Sequence, residues 1–239
     1  MIEHLPLLSE QECVLTVSEI YRRRSQWLDR SVRNQQTFFT LGRAAYLDVC
    51  LPGADADAQY YSKLEASNAI LREGFGSLYE RILSAMTELL GNSVDYGQEL
   101  AMPGFHLFFD SGIVSAGKGG SHFDIQHSAL RLPEPIDPVE PISFTLAVQL
   151  PTHGSGLETW NITEQEFNKA FARGLTLSLE EYRARKIRAF HAYRTGWLFI
   201  HRGLILHRLC SPGPILSTDA RITLQGHGLR IRGRWVLYW

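Results

Sequence analysis

The spacing of apolar residues changes near Met102, Pro103 and Gly104, and this change limits the folds that the chain can adopt. Beyond it, apolar residues come in short runs with the length and composition of β-strands. Turn signals separate the runs, and one of them, Gly226-His227-Gly228, predicts a turn after the sixth run. The runs cover residues 105–109, 142–150, 187–193, 197–201, 204–207, 220–225 and 235–239. Many short strands with such turns are typical of a jelly roll or a small barrel.

Helical signals dominate the first hundred residues. Ser9 and Glu12 have the spacing of a capping box, and the apolar residues that follow recur at helical intervals. Thr163 and Glu166 repeat this spacing and predict one helix, residues 163–173, within the β-rich part.

A second helical pattern runs over residues 55–90. Gly74 and Gly76 predict a break within it, and Gly91 predicts its end. With 239 residues and a hydrophobic fraction of 44%, the chain has enough apolar material for one sizeable core. We therefore predict an α+β fold in which residues 1–239 form a single domain. Residues 1–100 are its mainly helical part, packed outside a jelly-roll catalytic core of residues 101–239.

The bulk composition argues against several classes of partner. The formal net charge is −1, which gives no electrostatic footprint for nucleic acid. The longest mostly apolar stretch, residues 196–206, is interrupted by His201 and Arg202 and is too short to cross a bilayer. Three widely spaced cysteines are typical of reduced thiols, and the N-terminus lacks the pattern of a signal peptide. We expect a cytoplasmic protein without a nucleic-acid or membrane partner, and its oligomeric state stays open.

A metal site is predicted by His122 and Asp124, which stand two residues apart. On an extended segment this spacing places both side chains on one side. Two imidazoles and one carboxylate can hold Fe(II) on one face and leave the opposite positions open to a co-substrate and O2. His207, in a later strand-like run, is the predicted third ligand. His201, in the preceding run, is its competitor; His207 is preferred because its separation from Arg221 suits adjacent strands joined by a short loop.

Arg221 and Thr223 are also two residues apart and should share a face of their strand. If that face is the interior, a guanidinium and a hydroxyl lie beside the metal. A buried arginine without an anionic partner is costly, so its partner would be a ligand carboxylate. A guanidinium is the two-pronged donor that the far carboxylate of a dicarboxylate co-substrate requires.

Together, His122, Asp124, His207 and the pair Arg221 and Thr223 resemble the Fe(II)/2-oxoglutarate-dependent dioxygenases. Residues 103–108 and 154–160 resemble segments of their small-molecule hydroxylase branch, which is related to the non-haem iron halogenases. The resemblance covers roughly residues 100–239.

The resemblance implies a double-stranded β-helix in which His122, Asp124 and His207 bind Fe(II). It implies that Arg221 anchors the distal carboxylate of 2-oxoglutarate, with Thr223 as a second contact. The implied reaction uses O2 to hydroxylate an unactivated C–H bond of a small molecule, an amino acid or a biosynthetic intermediate, and releases succinate and CO2. Because halogenases lack the carboxylate ligand, Asp124 favours hydroxylation, or a related desaturation or ring closure, over halogenation.

Three alternatives stay open at this point. The basic residues 183–188 would suit an oxygenase acting on a carrier-bound or protein substrate, if they border the mouth of the site. A non-catalytic jelly-roll or cupin-like binding protein would have no reason to aim Arg221 at the same cavity as His122 and His207. A cupin-type metalloenzyme that uses no 2-oxoglutarate generally needs more histidines close together than we expect here.

Several further residues carry weaker signals. We expect His106 to be a core histidine and Trp160 a structural aromatic, and we expect Gln126 to share the face of Asp124. Residues 117–121 predict a flexible turn before His122. The remaining histidines, among them His227, carry no motif.

Overall fold

The computed structural model describes residues 2–31, 35–113, 120–132, 134–174 and 176–239. The strands are Ile2–Pro6 (β1), Leu28–Asp29 (β2), Phe38–Leu41 (β3), Val94–Tyr96 (β4), Gly104–Phe109 (β5), Ile142–Gln149 (β6), Gly156–Thr163 (β7), Arg188–Ala192 (β8), Trp197–Arg202 (β9), Ile205–Cys210 (β10), Ala220–Ile231 (β11) and Arg234–Tyr238 (β12). The α-helices are Glu10–Arg22 (α1), Ala45–Asp48 (α2), Ala56–Gln59 (α3), Leu64–Leu90 (α4), Glu164–Ala172 (α5) and Leu179–Arg183 (α6). No helix within these ranges is both long enough and apolar enough to span a membrane.

The strands form one large and one small sheet. In the large sheet β1, β9, β6, β11, β5, β3 and β2 lie side by side, and β12 joins the later part of β11 to β4. The small sheet has the order β10, β7, β8, and all its pairings are antiparallel. A bridge between His122 and His207 extends it beyond β10. Strands from both halves of the sequence thus belong to the same large sheet.

The main hydrophobic core lies between the large sheet and helices α1 and α4. Ile20 of α1 and Leu71 and Ile82 of α4 are fully buried there with Leu146 of β6 and Leu224 of β11. The helices therefore cover the outer face of the large sheet, as the sequence predicted.

The inner face of the large sheet is turned towards the small sheet. Ala147 of β6 and Phe199 of β9 pack with Leu157 of β7 and Leu209 of β10. The sequence of β6, Ile-Ser-Phe-Thr-Leu-Ala-Val-Gln, explains how one strand serves both faces. Its large apolar residues alternate with small or polar ones, and successive side chains of a strand point to opposite faces. The polar set is thereby delivered to the space between the sheets.

Much of this order was predicted from the sequence. The mixed α+β class is confirmed, each of the seven predicted strands overlaps an observed one, and the capping boxes at Ser9 and Thr163 are both present. Strand β7 was missed because polar residues interrupt its pattern; one of them, Glu158, is buried in an ion pair with Arg208. The short strands β1 to β4 within residues 1–100 were also missed: β1, β3 and β4 pair with strands distant in sequence, and the two-residue β2 pairs with β3.

The predicted turn at residues 226–228 is wrong. Strand β11 continues without interruption to Ile231. Its glycines serve close packing: a Cβ on Gly226 would lie 2.5 Å from Cζ of Phe144, and one on Gly228 would lie 2.7 Å from Cγ1 of Ile142. A glycine inside a strand often marks such a close approach rather than a turn.

Helix α4 contains the predicted break. Phe75, between Gly74 and Gly76, has non-helical angles (φ −138°, ψ 23°), and the helix ends at Gly91, which is left-handed (φ 63°). Arg23 explains why residue 74 is a glycine, because a Cβ at this position would lie 2.4 Å from Nε of Arg23. That Nε also donates a 2.9 Å hydrogen bond to Glu19.

We expect Gly76→Ala and Gly74→Ala to have opposite effects on stability. A Cβ on Gly76 meets nothing within 4 Å, so alanine should raise the free energy of unfolding by roughly 0.5–1 kcal/mol. The same change at Gly74 displaces Arg23 and should yield no gain or a loss. Urea denaturation of both variants measures the difference, and equal gains would contradict this account of the kink.

Candidate active site

A cavity of about 710 Å³ lies between the two sheets. The large sheet contributes His106, Ser143, Arg221 and His227 to its wall, and the small sheet contributes His207. Residues 122–126 and helix α2 close it further. The cavity therefore collects polar side chains from the inner faces of both sheets.

The predicted metal ligands meet at this cavity. One ligand atom from each of His122, Asp124 and His207 lies within 4.8 Å of the others. Nε2 of His122 is 3.7 Å and Nε2 of His207 is 3.5 Å from Oδ1 of Asp124. Two backbone hydrogen bonds fix the pair of histidines, from His122 N to His207 O (2.9 Å) and from His207 N to His122 O (3.1 Å).

Backbone carbonyls fix the orientation of both imidazoles. Nδ1 of His207 lies 2.9 Å from the carbonyl oxygen of Ile205, and Nδ1 of His122 lies 3.3 Å from that of Gly120. Since a carbonyl only accepts, each Nδ1 carries a proton, and Nε2 is the nitrogen that each ring can offer to a metal. Metal-binding histidines are typically held in this way.

Asp124 is set up as an anion. Burial alone would raise the pKa of its carboxyl, but the surrounding imidazoles, His207 first, hold that pKa well below its usual range. Burial lowers the pKa of His207, and the Asp124 carboxylate outweighs burial and raises it. The site therefore pairs an ionised carboxylate with imidazole nitrogens, a donor set that suits Fe(II).

Two further histidines lie on the other side of this carboxylate. Oδ2 of Asp124 is 3.8 Å from Nε2 of His201 and 3.7 Å from Nδ1 of His227, and it accepts a 2.6 Å hydrogen bond from Ser143. Of the two competitors, it is His207 that joins the group of His122 and Asp124. The expectation that few histidines lie close together is wrong, because four imidazoles surround Asp124.

Sequence reasoning missed His227 and Ser143. His227 stands six positions after Arg221 in β11, so an even spacing places both on the cavity face. That signal was hidden because the two flanking glycines were interpreted as a turn.

Arg221 is a buried cation without an anionic partner. It is 0% exposed, and its Nε donates a 3.2 Å hydrogen bond to Ser155. Within the described ranges, Nη1 and Nη2 have no hydrogen-bond partner, and the guanidinium lies 5.6 Å and 5.8 Å from the ring centres of Phe108 and Tyr193. Burial lowers the pKa of Arg221 to about 10, so it stays protonated at neutral pH. Two unused donors facing a cavity fit an incoming carboxylate.

Thr223 has a different environment from the one predicted. It is fully buried beside Arg221 on the same strand, and its Oγ1 lacks a partner among the described residues. Unlike Arg221, it is not one of the residues that line the cavity.

The weaker sequence signals resolve in several ways. His106 is buried but also lines the cavity, where it lies 2.6 Å from the hydroxyl of Tyr46. Gln126 lines the cavity as well, although it begins a 3₁₀ turn and does not continue the extended segment. Trp160 packs away from the cavity, against Ile162 and Leu206. Of the predicted turn at 117–121, residues 117–119 lie outside the described residues.

Comparison with solved structures gives the fold a counterpart. An N-substituted L-amino acid dioxygenase from Burkholderia ambifaria AMMD, in complex with alpha-KG, has a similar structure (TM-score 0.56, 13% identity), and the similarity covers 100% of this chain and 86% of that one. The non-heme alpha ketoglutarate dependent epimerase SnoN from nogalamycin biosynthesis is also similar (TM-score 0.51, 11% identity), with 96% of this chain and 78% of that one covered. The likeness is one of fold. At that level it confirms the resemblance seen in the sequence.

Sequence comparison alone finds no such relative. No protein-family model matches the chain, and no curated protein matches it. The arguments about chemistry therefore depend on the site itself.

Because Arg221 has no anionic partner among the described residues, we expect it to lower the stability of the ligand-free protein. Arg221→Met should raise the free energy of unfolding of the ligand-free protein by about 1 kcal/mol or more, because it removes a buried charge that has no such partner. Arg208→Met is the control: Arg208 is also buried but pairs with Glu158, whose remaining partner is the exposed Arg188, so its removal should be destabilising. Chemical denaturation compares the two, and a destabilising Arg221→Met would show that Arg221 is already compensated.

Proposed function

We propose that this protein is an Fe(II)- and 2-oxoglutarate-dependent oxygenase that acts on a small molecule. The observation that carries the proposal is the position of Arg221. Its two unsatisfied guanidinium nitrogens share one cavity with His122, Asp124 and His207. A binding module has no need to maintain a costly buried cation beside a three-ligand metal site.

The side chains present fit iron. His122 and His207 each offer an Nε2 lone pair, and Asp124 offers Oδ1 on the same side. In our proposal these three hold Fe(II) and leave coordination positions free towards the cavity. The two-sheet arrangement around them supports a double-stranded β-helix, which is the fold that the sequence resemblance implies.

The co-substrate fits the remaining space. In the proposed complex, Nη1 and Nη2 of Arg221 donate to the distal carboxylate of 2-oxoglutarate, and the Phe108 and Tyr193 rings border the guanidinium. The dioxygenase of similar fold has alpha-KG in its structure, which supports this assignment. Thr223 stays a secondary candidate, acting through its buried hydroxyl beside Arg221.

In this proposal the residues of the chain bind and orient the metal and the co-substrate, and they limit the access of water. Bound Fe(II) and 2-oxoglutarate supply the oxidising power for attack on an unactivated C–H bond, at the expense of O2 and with release of succinate and CO2. His207 and Arg221 are buried, which limits the access of solvent to them, whereas the side chain of His122 is 58% exposed. The two backbone bonds between His122 and His207 keep these two ligands in register.

Hydroxylation is the reaction that we propose. Asp124 fills the ligand position that halogenases leave open, which argues against halogenation. An epimerase is among the proteins of similar fold, so an outcome other than hydroxyl transfer is the specific alternative. For the substrate, we propose a free small molecule such as an amino acid or a biosynthetic intermediate.

A carrier-bound substrate has less support. Its condition was that the basic residues 183–188 border the mouth of the cavity, and none of them is among the described lining residues. Arg183 and Arg188 are instead engaged with Glu180 and Glu158.

An anaerobic visible spectrum with Fe(II), recorded before and after addition of 2-oxoglutarate, tests the proposal. We expect a weak metal-to-ligand band that needs both components. Asp124→Ala should abolish it, and Arg221→Met should raise the 2-oxoglutarate concentration needed at least tenfold. A band without 2-oxoglutarate dependence would favour a cupin-type metalloenzyme, and no retained iron would favour the binding protein.

The choice between His207 and His201 has its own test. His207→Ala should remove Fe(II) binding, because it deletes one of three ligands. His201→Ala should retain it, since His201 faces the other carboxylate oxygen. Calorimetric titration of each variant with Fe(II) under anaerobic conditions measures the difference. The reverse result would exchange the roles of the two histidines.

A further inference from the structure

We propose that Ser143 is a positioning residue for Asp124 and that His227 holds Ser143 in that role. The inference rests on the proposed function, because it assigns the two residues to a metal-binding carboxylate. It adds two members to the site that the sequence motif does not contain.

The direction of the first hydrogen bond follows from Asp124. Its ionised carboxylate can only accept, so the 2.6 Å contact between Oδ2 and the Ser143 hydroxyl is a donation from serine. Donation to Oδ2 turns the other oxygen, Oδ1, towards Nε2 of His122 and His207. The serine thus selects which oxygen meets the metal.

The second hydrogen bond follows from the first. Ser143 has one hydroxyl proton, and Asp124 takes it, so the serine oxygen accepts in its contact with Nδ1 of His227 at 3.0 Å. Nδ1 of His227 must therefore carry a proton.

Strand register builds this arrangement. Ser143 of β6 pairs directly with His227 of β11 on one side and with His201 of β9 on the other. Residues opposite each other on neighbouring strands lie close enough for their side chains to interact. The hydrogen-bonded chain from His227 through Ser143 to Asp124, called the relay below, therefore has Ser143 and His227 fixed by neighbouring strands of the large sheet.

The first test uses the metal-free protein and needs no substrate. Long-range ¹H–¹⁵N correlation spectra of protein labelled with ¹⁵N-histidine, near neutral pH, report which ring nitrogen of each histidine is protonated. We expect His227, assigned by loss of its signals in His227→Asn, to carry its proton on Nδ1. An unprotonated Nδ1 would overturn the inference whatever the protein's activity.

The second test measures the affinity for Mn(II), followed by the electron paramagnetic resonance of the free ion. Ser143→Ala should weaken binding about 10- to 100-fold, the usual effect of losing a partner of a metal ligand. Ser143→Thr keeps the hydroxyl and should restore affinity. Thr145→Ala, two residues along the same strand and also facing the cavity, is the control and should bind as the wild type does.

The same titration tests His227 through its substitutes. Asparagine can still donate an N–H from the position of Nδ1, so His227→Asn should stay close to the wild-type affinity. Leucine cannot, and His227→Leu should bind Mn(II) more weakly than His227→Asn does. Equal affinities for these two variants would remove His227 from the relay.

The outcomes separate this inference from the proposed function. A wild-type protein that binds Mn(II) together with an unaffected Ser143→Ala variant would overturn the positioning role and leave the metal site intact. A wild type that binds no Mn(II) would contradict the metal site itself, and the tautomer of His227 would then decide the relay alone.

Discussion

The site depends on one buried carboxylate. Asp124 accepts a hydrogen bond from Ser143 on one oxygen and faces Nε2 of His122 and His207 with the other. These partners come from β6, from β10 and from the segment that the bridge ties to β10. An ionised group that is only 13% exposed is tolerable only when its surroundings are polar and oriented, so the alternating polar face of β6 serves the proposed metal site as well as the sheet.

Arg221 adds a second buried charge, which differs from Asp124 in having fewer partners. Asp124 is surrounded by partners, whereas the guanidinium keeps two nitrogens unsatisfied within the part of the chain that the structure describes. Such a group lowers the stability of the free protein, and a bound anion would restore that stability. Arg208, by contrast, is buried but paired with Glu158, and the absence of such a partner at Arg221 supports the proposed role in binding a ligand carboxylate.

The sequence was sufficient for features set by local spacing. His122 and Asp124, two apart, do share one side, and the capping boxes at Ser9 and Thr163 do begin helices. What it could not supply was cross-strand register. The contact of Ser143 with His227 joins residues far apart in the sequence, and the glycines beside His227 were interpreted as a turn although they permit close packing within β11.

The most direct test of the account is a crystal structure of the protein grown anaerobically with Mn(II) and 2-oxoglutarate, with the metal located by its anomalous scattering. We predict one metal peak bonded to Nε2 of His122, Oδ1 of Asp124 and Nε2 of His207, and a carboxylate of 2-oxoglutarate on the guanidinium of Arg221. A metal held by His201 and His227 instead, or a co-substrate that leaves Arg221 unpaired, would contradict it.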